Sequence, residues 1–180
     1  FDGQTWAADN GRYAAPQNYT DDGYLAWLAK MPVETCLFAT APDVVGDWDA
    51  TLVRSAPVLT VLRGMGFKAA IVAQDGAEKS DIPWGQFDAL FIGGSTEWKE
   101  RRTISICIDA KMRGKWVHMG RVNSRRRLHL AKIGLCDSVD GTFLGFGPEK
   151  NLPKLERWMH EVNTSESIFK AAYRAEQGER

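Results

Sequence analysis

The stretch FKAAIVAQDG, Phe67 to Gly76, is a short apolar run closed by an amide, an acid and a glycine. Before it lies a longer segment, Asp47 to Met65, in which Leu52, Ala56, Leu59 and Leu62 recur at helical spacing. A strand that follows a helix and ends in turn residues is half of a βα unit, and the same grammar is read along most of the chain. The other short runs are QTWAAD near Trp6, ETCLFAT around Leu37, ALFIGG around Phe91, WVHMG around His118 and CDSVDGTFL from Cys136. Helical patterns cover Thr20 to Lys30, Thr103 to Arg113, Asn123 to Lys132 and Asn151 to Val162. Thr20, Asp47 and Asn123 stand at cap positions, with Gly64, Gly66, Gly114 and Gly134 at helix ends. Pro57 is expected to kink its helix or to start a second one.

Strands alternating with helices imply a parallel sheet with helices outside it. The expected fold is α/β, a compact or partial TIM-like (βα) barrel in one domain spanning 1–180, with 163–180 as a charged C-terminal helix or tail. A full eight-unit barrel normally needs more than 180 residues, so an element before Phe1 is also expected.

Composition is that of an ordinary globular chain, 44% hydrophobic and 26% charged. No apolar run nears the roughly 18 residues of a membrane span, and the simplest expectation is a cytoplasmic protein. Cys36, Cys107 and Cys136 fit neither a disulfide framework nor a zinc spacing and are expected in the core. The zero net charge conceals a division. Between Lys99 and Lys132 eleven Lys and Arg face only Glu100 and Asp109, whereas the chain before Lys99 carries six basic and thirteen acidic residues. Such a block suits a polyanion, or equally the solvated faces of two helices.

In either α/β architecture the site lies at the carboxyl ends of the strands. Those ends read Asp9-Asn10-Gly11, Ala41-Pro42-Asp43, Gln74-Asp75-Gly76, Gly93-Gly94-Ser95-Thr96-Glu97 and Met119-Gly120-Arg121, with Asp137 and Asp140 inside the sixth run. Turns and caps favour Asp, Asn and Gly anyway, but six successive strand ends of this kind point to a functional rim. His118, His129 and His160 are scattered, and no GxSxG, Walker or GxGxxG motif occurs. Carboxylate chemistry remains: one acid as nucleophile at an acetal-like carbon, a second as acid or base.

The succession DNG, APD, VAQDG, FIGGSTE and MGRVNSRRRLHLAKIGLCDSVDGT resembles the tRNA-guanine transglycosylase superfamily, especially its phage-type, DpdA-like members associated with 7-deazaguanine in DNA. The resemblance covers most of Trp6 to Leu144. It implies a TIM barrel that exchanges guanine in nucleic acid for a 7-deazaguanine through a covalent aspartyl intermediate. By the same resemblance Asp140 is the nucleophile and Asp9 the proton-transfer group. Asp43 reads the base, Gln74 and the Gly93-Gly94 backbone assist, and Glu97 and Met119 complete the base-binding set. Arg121, Arg125, Arg126 and Arg127 are the expected nucleic-acid contacts. The family's zinc motif has no counterpart, so no cofactor is expected, and Arg12 stands where the family has a small residue. The implied partners are DNA or RNA and a 7-deazaguanine base, with a homo-oligomer as a further expectation.

The chemistry of guanine agrees with that set, because its N1–H and amine suit the Asp43 carboxylate while donors from Gln74, Gly93 and Gly94 suit O6. Strand alternation puts Asp140 on the inner face, with Cys136 and Ser138, and Asp137 on the outer face toward a helix cap or an Arg. Two other classes stay open: a noncatalytic base- or nucleic-acid-binding subunit, and a small-molecule nucleoside hydrolase or lyase.

Overall fold

A computed structural model describes residues 4–12 and 16–164. Its strands are β1 (Trp6–Ala8), β2 (Cys36–Thr40), β3 (Ala69–Ala73), β4 (Ala89–Ile92), β5 (Trp116–Met119) and β6 (Ser138–Val139). Its helices are α1 (Asp21–Leu28), α2 (Trp48–Gly64), α3 (Thr96–Met112), α4 (Arg125–Ile133) and α5 (Pro148–Thr164). All neighbouring strands pair in parallel, in the order β1-β2-β3-β4-β5-β6. Because the order never reverses, right-handed crossovers all fall on one side, and the sheet curls into a half-barrel with its helices outside.

The two faces of the sheet are packed differently. On the outer face Ala39, Ile71, Leu90, Ile92, Val117 and Met119 meet Leu59 and Leu62 of α2 and Ile106, Cys107 and Ala110 of α3. Complete burial of an aliphatic side chain there contributes about 1.5–3 kcal/mol. On the inner face a smaller cluster of Phe38, Ala70 and Ala89 is flanked by Phe91 and Trp116.

Several boundaries depart from expectation. Helix α3 starts at Thr96, seven residues before Thr103, because Ser95 accepts a bond from the Trp98 N–H and caps it there. In α4 the cap is Ser124, while the Asn123 side chain accepts from the N–H groups of Thr142 and Phe143. Helix α2 runs unbroken through Pro57; the carbonyl that proline deprives of a donor belongs to Val53, which is 80% exposed and can be hydrated. The β3–β4 crossover has no α-helix, only two short 3-10 turns. Helix α5 ends at Thr164, so the tail expected over 163–180 lies almost wholly outside the described residues.

The segment CDSVDGTFL is strand only at Ser138–Val139. Leu135 turns through φ 57° and the Cys136 N–H bonds to Ala131 of α4, so Cys136 still belongs to the helix end. Its free thiol lies within hydrogen-bond reach of the free thiol of Cys107 and packs against the helix-side core, not on the inner face with Ser138 and Asp140. Asp137 does point outward, and its partner is Lys111 of α3 at 2.6 and 2.7 Å. The same carboxylate accepts the Val117 N–H at 2.8 Å. Asp137→Ala breaks both links and should lower stability by about 1–3 kcal/mol, read from a denaturation midpoint at unchanged slope. A loss within error of zero would mean that the links are spent on solvent exchange.

Candidate active site

The strand ends enclose a cavity of about 140 Å³ lined by Asp9, Asn10, Asp43, Val45, Val72, Gln74, Phe91, Gly93, Gly94, Arg121 and Asp140. A void of about 150 Å³ accepts a benzene ring, so this one suits a single planar heterocycle. Val72, Gln74, Phe91 and Gly93 arrive by strand alternation, since even residues of β3 and odd residues of β4 face inward. Gly93 and Gly120 are required by close approach. A Cβ at Gly93 would stand 2.6 Å from Val72 and 2.9 Å from the Gln74 amide, and one at Gly120 would stand 2.6 Å from the Phe91 ring.

Gln74 organises the floor of the cavity. Its Oε1 accepts the N–H groups of Gly46 at 2.9 Å and Gly94 at 3.0 Å, and its Nε2 donates to Asp43 Oδ2 at 2.5 Å. Those bonds fix the orientation of the amide, leaving its second N–H as a donor for a ligand carbonyl. The Gly94 N–H is thus taken, and the Gly93 N–H bonds to Ala73 in the ladder. The backbone donors expected for O6 are therefore already used, and the Gln74 amide is the donor that remains. Arg12 donates from its guanidinium to the main-chain carbonyl of Asp43.

Asp140 is clasped from two sides. His118 Nε2 lies 3.0 Å from Oδ2, and the Arg121 N–H donates to Oδ1 at 2.8 Å. Burial alone would raise its pKa, but the bonds from His118 and Arg121, with the charge of Lys99, outweigh it and hold the carboxyl below its ordinary value. Asp9 is displaced the opposite way. Burial raises its pKa, N–H groups of Gly11 and Asn10 offset part of this, and the charges of Asp43 and Asp140 raise it further. The cavity thus contains one acid that gives up its proton more readily than an ordinary carboxyl and one that holds it more tightly.

Lys99, which the sequence did not single out, is only 2% exposed and donates to the Gly120 carbonyl. Burial and the charges of Arg121 and Arg127 bring its pKa down to about 8, against the opposing pull of Asp140.

The remaining expected residues are dispersed. Met119 is fully buried in the helix-side core, because alternation gives the inner positions to Trp116, His118 and Gly120. Glu97 lies outside the cavity in the first turn of α3, paired with Arg101 at 3.4 Å. Arg121 alone of the four arginines lines the cavity, and it donates to the Gly94 carbonyl. Arg125 binds Glu161 at 2.5 Å, and Arg126 and Arg127 share Glu100 at 3.0 and 3.4 Å. Among the described residues no group of His, Cys, Asp and Glu is arranged to hold a metal ion.

No family model, curated protein or solved structure matches this chain.

The raised pKa of Asp9 has a thermodynamic sign. Where the folded state holds the proton more tightly than the unfolded chain, stability is greatest below the unfolded value of 3.8 and is lost as pH rises through the folded value. At neutral pH an ionised Asp9 is therefore a cost. Asp9→Asn should melt at the same or a higher temperature than wild type at pH 7, with the advantage shrinking as pH falls toward 4. A variant less stable at pH 7 than at pH 4, relative to wild type, would show that the carboxylate is favourably held.

Proposed function

We propose that the protein exchanges guanine for a 7-deazaguanine base in nucleic acid, DNA in preference to tRNA, through a covalent aspartyl intermediate. The observation that carries the reading is the pair of carboxyls in one cavity with pKa values displaced in opposite directions, Asp140 down and Asp9 up. A carboxyl held ionised is suited to act as nucleophile, and of the two acids the one with the raised pKa is the better suited to carry the proton as general acid.

In the first half of the exchange an Asp140 oxygen attacks C1′ of a nucleotide turned out of its stack. The C1′–N9 bond breaks, its electron pair goes to N9, and Asp9 supplies the proton with which guanine leaves. In the second half N9–H of the incoming base gives its proton to Asp9, N9 bonds to C1′, and the C1′–O bond to Asp140 breaks. Protons and electron pairs balance, and no oxidant or metal enters the sum. Asp43 and the free N–H of Gln74 offer an acceptor and a donor for the guanine edge, while Phe91 and Val45 provide apolar walls for its ring. Arg121 at the rim supplies the cation for an adjacent phosphate. Because Arg125, Arg126 and Arg127 each have a carboxylate partner, their share of phosphate binding is secondary in this reading.

Asp140→Asn should fold normally yet give no covalent protein–nucleic acid adduct on a denaturing gel. Asp137→Asn should keep the adduct. An adduct that survives in Asp140→Asn and disappears in Asp137→Asn would place the nucleophile on the other face of β6.

A further inference from the structure

A line of polar groups crosses the inner face behind the cavity and ends on Asp140. Trp116 Nε1 lies 3.0 Å from Ser138 Oγ, Ser138 Oγ lies 2.8 Å from His118 Nδ1, and His118 Nε2 lies 3.0 Å from Asp140 Oδ2. The direction of each bond follows from what the groups can do. An indole N–H only donates, so Ser138 accepts from Trp116. An ionised carboxylate only accepts, so His118 must carry its hydrogen on Nε2. In the neutral ring Nδ1 is then bare and accepts the Ser138 hydroxyl. Every donor along the line meets an acceptor.

The ring has little freedom to do otherwise. Its centroid is 4.6 Å from that of Phe91 and 5.2 Å from that of Phe38, and its side chain is 9% exposed. Asp140, at the end of the line, is half open to the cavity.

We propose that His118 is a positioning residue for Asp140, oriented by Ser138 and Trp116, and that its Nε2–H stabilises the Asp140 carboxylate as it departs from C1′ in the second half of the exchange. This rests on the transglycosylase reading. When the C1′–O bond breaks, its electron pair returns to Asp140, and a hydrogen bond already aimed at that oxygen lowers the energy of the charge that forms. The incoming N9 closes on C1′ and its proton goes to Asp9. In the first half the same bond makes Asp140 a slightly weaker nucleophile while holding it in place. Removing His118 should therefore slow breakdown of the adduct more than its formation. A residue that only ties β5 to β6 would lower both together.

The test uses the full chain with guanine-containing DNA and a free 7-deazaguanine. His118→Phe keeps the ring packing and removes both polar bonds, while His118→Gln returns an N–H near the position of Nε2. With His118→Phe, adduct should accumulate above the wild-type level and turnover should fall about tenfold to a hundredfold, the value of one hydrogen bond to a charged group. His118→Gln should recover most of the turnover. If His118→Phe does not fold, Ser138→Ala, which removes the shared partner of His118 Nδ1 and Trp116 Nε1 and leaves the Nε2 bond to Asp140, should show accumulation in the same direction at smaller size. Nitrogen-15 spectra of the wild-type imidazole should show the Nε2–H tautomer. An Nδ1–H tautomer overturns the proposal. So does a His118→Phe protein with wild-type adduct and turnover, or a parallel loss of both with no recovery by Gln. Wild type that forms no adduct overturns the transglycosylase reading together with this one, whereas an adduct indifferent to His118 overturns this one alone.

Discussion

A carboxylate at the end of a two-residue strand keeps its place only if something other than the strand holds it, and the clasp on Asp140 does so. Its N–H bonds to Met119, its carbonyl accepts from Val122, and its two side-chain oxygens receive His118 and the Arg121 N–H. The Arg121 backbone sits at φ 57°, a left-handed conformation that costs a non-glycine residue of order 1 kcal/mol and persists only when its surroundings demand it. Here they do. Lys99 holds the preceding carbonyl of Gly120, Arg127 holds that of Arg121 at 2.8 Å, and the Arg121 guanidinium reaches across to Gly94. The strained turn places one arginine on the rim of the cavity and one N–H on the acid beneath it.

From that clasp follows the electrostatic layout of the cavity. Donors converge on Asp140 and lower its pKa, while Asp9, across the cavity, is partly desolvated and feels the charges of Asp43 and Asp140. Two residues of the same type thereby acquire different protonation behaviour. Lys99 shares in this balance. Its buried ammonium bonds to Gly120 and lends charge to Asp140, with its own pKa lowered by burial and by Arg121 and Arg127. The site is built from groups that each need their neighbours, so its parts are not separable contributions.

Strand ends were legible in the sequence because a short apolar run closed by Asp, Gln or Gly has few other interpretations, and one cavity at those ends is lined by Asp9, Asp43, Gln74, Gly93, Gly94, Arg121 and Asp140. The parallel half-barrel with outer helices was legible for the same reason. What escaped were consequences of local register. Alternation along WVHMG already opposes His118 to Met119, and applying it would have exchanged one for the other. In CDSVDGTFL the period of two begins only after Cys136, because a left-handed Leu135 and a helix-end bond keep that residue with α4. Lys99 was hidden by composition: inside a basic block it looks like another solvated cation, and only the path of α3 from its Ser95 cap buries it. The pairing of Arg125, Arg126 and Arg127 with Glu161 and Glu100 joins side chains from three helices, which no local pattern announces.

The central claim concerns a base exchanged at C1′, and it is tested most directly by release of label. DNA and tRNA carrying labelled guanine are incubated with the purified chain, with and without a free 7-deazaguanine, and the free base is counted. Label released from DNA only when the 7-deazaguanine is present is the predicted result. Release that does not depend on the added base would make the protein a hydrolase, and no release from either nucleic acid under either condition would contradict the account.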